Sequence, residues 1–270
     1  RYFHCDGDGS WIRRGLLLGT LEIVHDGSYM RSVAKDVCSA AFFIFCRESQ
    51  QSCKGTVAER TPAADNYCGE ILGGLMVQLV LKAATAGLHV PLLAELSATV
   101  CCDNRGVVNH GNTPTRGLKE KQAQSDALRV FKQLITANTF ITAYHWVAAH
   151  QDDTKRWEAL TLRERMNVVV DSLAKKSLLA AVGSHEFIES VFPFETIRVY
   201  VGQQKVTGSL KTAFVNYWGA SVARELYHEK HLLDRSYFHL VWWDGCALAL
   251  PRFPKMFQVF VTKQTSKLCG

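Results

Sequence analysis

The chain has 270 residues, 47% of them apolar, 21% charged and 10% aromatic, with a net charge of +6. That composition excludes a disordered or collagen-like chain and leaves room for one large domain, or one domain and a smaller companion. Mean hydropathy is −0.03, and no apolar run reaches the roughly 18 residues of a membrane span, so no membrane partner is expected.

The mild basicity permits a nucleic-acid partner without singling one out. Nine cysteines, an odd number with no CxxC spacing, argue against a disulfide framework and for a reducing, intracellular setting, nucleus or cytoplasm. The chain opens on Arg1 with no signal-peptide pattern after it, as a piece of a longer protein would.

Residues 1–15, with Asp6-Gly7-Asp8-Gly9, read as a polar turn and lead-in. Three strand candidates follow: Leu16–Asp26, Val37–Arg47 and Lys54–Arg60. Their short, turn-like gaps predict an antiparallel meander. Thr61-Pro62 ends it, and the stripe Ile71, Leu75, Leu79 predicts a helix over 63–86, capped by Asp65. Gly73-Gly74 weakens that helix, so a close approach of backbones is expected there.

Leu96–Cys102 reads as a fourth strand, Gly106 to Gly117 as a loop, and Leu118–Ala137 as an amphipathic helix. Phe140–Ala148 is the next strand, Gln151–Arg165 a charged, mobile loop or broken helix, and Asn167–Val182 the closing helix. The order β-β-β-α-β-α-β-α predicts an α/β domain over 16–184: a five-stranded mixed sheet, three strands antiparallel and two added through helical crossovers. Residues 185–270 read as a small α+β appendage. It comprises a strand at Ile197–Val201, a helix at Leu210–Glu229 and an aromatic stretch at 232–262 in which Trp242 and Trp243, with Trp218, are expected as core.

Four acids fall at element ends that this topology converges. Asp26 closes the first strand, Asp103 follows the fourth, and Glu70 and Asp171 lie in the first turns of two helices. Clustered carboxylates cannot all stay ionised unless a cation joins them. All-oxygen donors select Mg²⁺ or Mn²⁺, and two such ions about 4 Å apart suit phosphodiester hydrolysis. His150 stands beyond the fifth strand as a proton carrier. Taken singly, each residue has a plainer reading: Asp26 as a turn former, Asp171 as the i, i+4 partner of Lys175.

The residues resemble ribonuclease H (type 1), in the form found in reverse transcriptase-associated retroelement polyproteins. The likeness spans roughly 16–182. It is carried by Asp26-Gly27-Ser28 after a strand, Asn66-x-x-x-Glu70 opening a helix, and Cys102-Asp103-Asn104 after a strand. Trp146-Val147-x-x-His150 and Asn167-x-x-x-Asp171-x-Leu173-Ala174 complete it.

The resemblance implies a ribonuclease H-like fold and an endonuclease that hydrolyses the RNA strand of RNA–DNA hybrids. It implies two Mg²⁺ (or Mn²⁺) ions on Asp26, Glu70, Asp103 and Asp171, with His150 assisting. Asn66, Ser28 and Asn104 would contact nucleic acid, and an adjoining reverse transcriptase domain would help to hold the hybrid. The basic, Trp-bearing helix of some members is missing, and Lys119, Lys121 and Lys132 are a thin substitute. Two other readings stand beside this one: an integrase-like or other nuclease of the same architecture acting on DNA, and an inactive retroelement relic that serves as a nucleic-acid-binding or interaction module.

Overall fold

The computed structural model describes residues 2–61, 63–87, 96–119, 122–138, 140–184, 199–201, 204–207 and 217. The chain divides into two compact units, Arg1–Val199 and Tyr200–Gly270.

The first unit is an α/β domain on a six-stranded mixed sheet. Its strands are β1 (Tyr2–Cys5), β2 (Leu21–Ser28), β3 (Val37–Cys46), β4 (Ser52–Arg60), β5 (Ser97–Cys102) and β6 (Ile141–Trp146), in the spatial order β1-β4-β3-β2-β5-β6. β2, β3 and β4 form the expected antiparallel meander. β5 joins β2 in parallel, Val24 opposite Cys101, and β6 joins β5 in parallel, Cys102 opposite Trp146. The sheet is the mixed arrangement expected, with one more strand. β1 pairs antiparallel with β4 and covers its outer edge.

Among the described residues of this unit the helices are α1 (Ser10–Leu18), α2 (Asn66–Ala84), α3 (Arg105–Asn112), α4 (Ser125–Ala137) and α5 (Leu162–Ser184). The alternation of strand side chains decides which helix covers which face. On β3, Cys38, Ala40, Phe42, Ile44 and Cys46 join the large core beneath α2, α1 and α4. Val37 and Ala41 point the other way, to Leu178 and to Val170 of α5. β2 is buried along its whole length because helices cover both its faces. α2 is apolar enough on every side to cross a bilayer by composition, but most of it is buried in the domain. A helix packed between a sheet and further helices has no need of a polar face.

Several expectations are corrected. Residues 1–15 are not a lead-in. They form β1 and most of α1, whose Trp11, Ile12 and Leu16 enter the core. Leu16–Leu18 belong to α1, and Gly19 ends it in a left-handed conformation (φ 62°), so the strand begins only at Leu21. The loop expected after Gly106 holds α3, and α4 starts at Ser125 rather than Leu118. The charged stretch 151–165 contains two 3₁₀ turns, Gln151–Asp153 and Trp157–Ala159, and α5 already begins at Leu162.

In the second unit the described residues include a hairpin of β7 (Tyr200–Val201) and β8 (Gln204–Lys205). Apart from Tyr217, the helix expected at 210–229 and the aromatic stretch with Trp242 and Trp243, as well as Trp218, lie outside the described residues.

Candidate active site

Asp26 lies within β2, not at its end. It stands opposite Ala41, and the strand continues through Gly27 and Ser28, which face Ala40 and Ser39. Asp26 therefore neither closes the strand nor forms a turn. The glycine has another use: a Cβ at Gly27 would stand 2.3 Å from the backbone nitrogen of Glu70. Gly69 is equally confined, its Cβ position 2.6 Å from the carbonyl oxygen of Ser39. Two side-chain-free residues thus let the second turn of α2 rest directly on β2 and β3, and this brings Glu70 to Asp26.

The start of α2 is fixed by Asp65, whose Oδ1 accepts a bond from the Cys68 N–H (2.6 Å), as expected of an N-cap. One turn further, a Cβ at Gly73 would lie 2.8 Å from the His25 ring and one at Gly74 2.7 Å from the Phe131 ring. The close approach expected there is real, toward the sheet on one side and toward α4 on the other.

Asp103 follows β5, the parallel neighbour of β2. One ligand atom from each of Asp26, Glu70 and Asp103 falls within 4.8 Å of the other two. Asp26 and Glu70 are 4% and 1% exposed. Within that group Asp26 Oδ1 accepts the Gly27 N–H (2.7 Å), and the Asn66 Nδ2 donates to Glu70 Oε1 (3.4 Å). Trp146 donates from its indole to the Asp103 carbonyl (2.8 Å) and lies under the Arg105 guanidinium, 4.6 Å from ring to charge.

The electrostatics follow from three acids in little water. Burial, then the charges of Asp103 and Asp171, push the Asp26 carboxyl up to about 7. Burial and the charges of Asp26 and Asp103 hold Glu70 well above the carboxylate range. Asp103 is raised chiefly by burial, with a Glu70 hydrogen bond and His150 opposing the rise. Charge that the pocket cannot hold alone is what a divalent cation neutralises, and carboxylate oxygens are the donors that Mg²⁺ and Mn²⁺ prefer. The residues present therefore fit a hard divalent ion.

Asp171 sits in the middle of α5, not in its first turns, and its Oδ2 accepts a bond from Lys175 (2.6 Å). It is outside the tight group of three, although its charge reaches both Asp26 and Asp103. The plain reading as a Lys175 partner and the reading as a site carboxylate both describe it. α5 is held in place by Ser39 Oγ donating to the Ala174 carbonyl (2.6 Å) and by Arg163 on Glu22 (2.7 Å). His150 is exposed, in a left-handed conformation (φ 50°) before the first 3₁₀ turn, where its charge favours Asp103.

The residues expected to contact nucleic acid differ in what they leave free. Asn66 is exposed and one turn before Glu70. Asn104 is engaged as the N-cap of α3, its Oδ1 accepting from Gly106 and Val107. Ser28 is 5% exposed and shares the strand face of Asp26. Lys132 is also buried and donates to the Arg116 carbonyl. Of the three expected lysines, Lys119 is exposed and Lys121 lies outside the described residues. No sequence signal marked Gly27 or Gly69 as builders of the site. Cys102 was quoted but given no task, although its Sγ donates to Glu70 Oε2 (3.5 Å).

No family model and no curated protein matches the chain. Among solved structures it is similar to LC11-RNase H1 in complex with an RNA/DNA hybrid, at 10% identity over 60% of this chain and 99% of that one, TM-score 0.45. It is also similar to the PFV RNase H domain (11% identity, 60% and 95% covered, TM-score 0.43) and to RNase H1 from the halophilic archaeon Halobacterium salinarum NRC-1 (13%, 60% and 98%, TM-score 0.40).

Proposed function

We propose that the first unit is a metal-dependent endonuclease that hydrolyses the RNA strand of RNA–DNA hybrids. The observation that carries this reading is the meeting of Asp26, Glu70 and Asp103 within 4.8 Å, from three distant stretches whose motifs occur in the order of type 1 ribonucleases H. The retroelement setting, the adjoining reverse transcriptase domain and an intracellular location belong to the same proposal. The seven described cysteines are all free thiols, which suits a reducing compartment.

Asp26, Glu70 and Asp103 would hold two Mg²⁺ or Mn²⁺ ions, with Asp171 joining as Lys175 releases it. When bound, the ions supply an activated water and neutralise charge on the leaving oxygen. The chain's residues do the rest. The glycine contacts hold Glu70 against Asp26 with no room for drift. Asn66 orients the Glu70 carboxylate and faces solvent, where a ribose 2′-hydroxyl, the mark of RNA, would lie. His150, on an exposed turn facing Asp103, carries protons to and from bulk water.

The test is cleavage of a labelled hybrid in Mg²⁺, with duplex DNA in parallel and Asp103→Asn as control. Hybrid cleavage that disappears in the variant is expected. Equal cleavage by the variant would overturn the assignment, and cutting of duplex DNA alone would favour an integrase-like enzyme.

A further inference from the structure

His25 is fully buried in the middle of β2, and neither of its ring nitrogens has a hydrogen-bond partner among the described residues. Its neighbours make room for it: Gly73 of α2 leaves a space that a Cβ would fill, and Tyr144 meets the ring edge-on at 6.1 Å. Two further donors stand beside it. One ligand atom from each of His25, Glu70 and Cys102 lies within 4.8 Å of the others, and all three residues are buried. Strand alternation puts this group on the α2 side of β2, whereas Asp26 points to the α5 side. Glu70 belongs to both groups.

We propose that His25, Cys102 and Glu70 form a second metal site, selective for a thiophilic divalent ion such as Zn²⁺. An imidazole, a thiolate and a carboxylate are zinc's usual protein donors. A tetrahedral ion with sulfur at about 2.3 Å and oxygen at about 2.0 Å places those two donors about 3.5 Å apart. Cys102 Sγ and Glu70 Oε2 are already 3.5 Å apart. Binding replaces the thiol proton, and any proton on Glu70, with bonds to the metal and releases them to solvent. It also uses the carboxylate that the carboxylate site requires, so zinc and magnesium compete through Glu70. That competition rests on the nuclease reading, but the zinc site itself does not.

The test is titration of the full chain with Co²⁺, whose thiolate charge-transfer absorption reports a metal–sulfur bond directly. One equivalent is expected to produce the band in the parent, and Zn²⁺ to displace it. Cys102→Ser, near-isosteric and checked for folding by far-UV circular dichroism, is expected to lose the band and bind at least tenfold more weakly. His25→Asn is expected to weaken binding as well.

The competing candidate is the buried group Cys38, Glu59 and Cys68. Cys68→Ser should therefore leave the band intact. No band in the parent, a band that survives Cys102→Ser, or one lost only in Cys68→Ser would each overturn the site. Asp103→Asn separates the two readings, because it should remove Mg²⁺-dependent cleavage while keeping the cobalt band. In the cleavage assay, the ratio of rates with and without one equivalent of Zn²⁺ should be well below one for the parent and rise toward one for Cys102→Ser.

Discussion

Asp103→Asn should make the metal-free protein more stable at pH 8, the reverse of what most substitutions do. The three carboxylates lie within 4.8 Å of each other. Two unit charges at that separation repel by about 3.5 kcal/mol at an effective dielectric near 20. Asp103 is partly exposed and the group shares protons, so about 2 kcal/mol is the expected relief.

The amide keeps the size of the side chain and can still bond to Glu70. For a domain of this length the gain corresponds to a rise in melting temperature of about 4–8 °C. The sign depends on pH. A carboxyl whose pKa rises on folding destabilises the native state once the pH passes its unfolded value, and that loss grows up to the folded value, about 7 for Asp26. Near pH 5 Asp26 holds its proton, Asp103 has less charge to face, and the advantage of the amide should shrink. Thermal melts in EDTA at the two pH values check this. A melting temperature unchanged or lowered at pH 8, or a gain that persists undiminished at pH 5, would refute the reasoning.

Further outcomes are expected. The parent without metal should lose stability as the pH rises from about 4 to about 7, by up to roughly 4 kcal/mol from Asp26 alone, and millimolar Mg²⁺ should flatten that profile in denaturant titrations. Gly27→Ala should cost at least about 2 kcal/mol, because its Cβ meets the backbone of α2 at 2.3 Å, and it should slow cleavage further by displacing Glu70, as melts and rates on one preparation would show. Lys175→Met should cost less than about 1 kcal/mol, as the loss of a partly exposed pair does, yet tighten Mg²⁺ binding several-fold by releasing Asp171, measured by calorimetry. Tyr144→Phe removes the hydroxyl that accepts from Gln78 Nε2 (2.9 Å) in a buried network with Asn138, and should cost about 1–3 kcal/mol with metal binding unchanged.

The parts of the fold that were legible in the sequence are those where local pattern and final environment agree. β3 is an apolar run bounded by turns, β4 follows it after a short turn, and α2 has its cap at Asp65 and its stripe from Ile71. α1 was missed because Leu16–Leu18 run straight into the strand's own apolar residues, with Gly19 as the only punctuation between them. α3 was missed because Gly106 and Gly111 lower its local propensity. A Cβ at Gly111 would lie 2.3 Å from the Tyr144 ring, so packing, which no local pattern reports, requires the glycine there. Among the site residues, the three acids that meet were legible from their element ends, even though Asp26 proved to lie inside its strand. The arrangement that unites them was not, because Gly27 and Gly69 act through what they lack. His25 was likewise silent, since one histidine in an apolar strand looks like filling until its two idle nitrogens are seen.

The contact of Gly27 and Gly69 has a consequence for how this domain would decay. The clustered acids burden the fold, whereas these glycines cannot be exchanged without parting a helix from a strand. In a library selected only for solubility, substitutions should accumulate at Asp103 and Asp171 and stay rare at Gly27 and Gly69. A copy released from selection on this site would therefore lose its acids first and keep the scaffold that once brought them together.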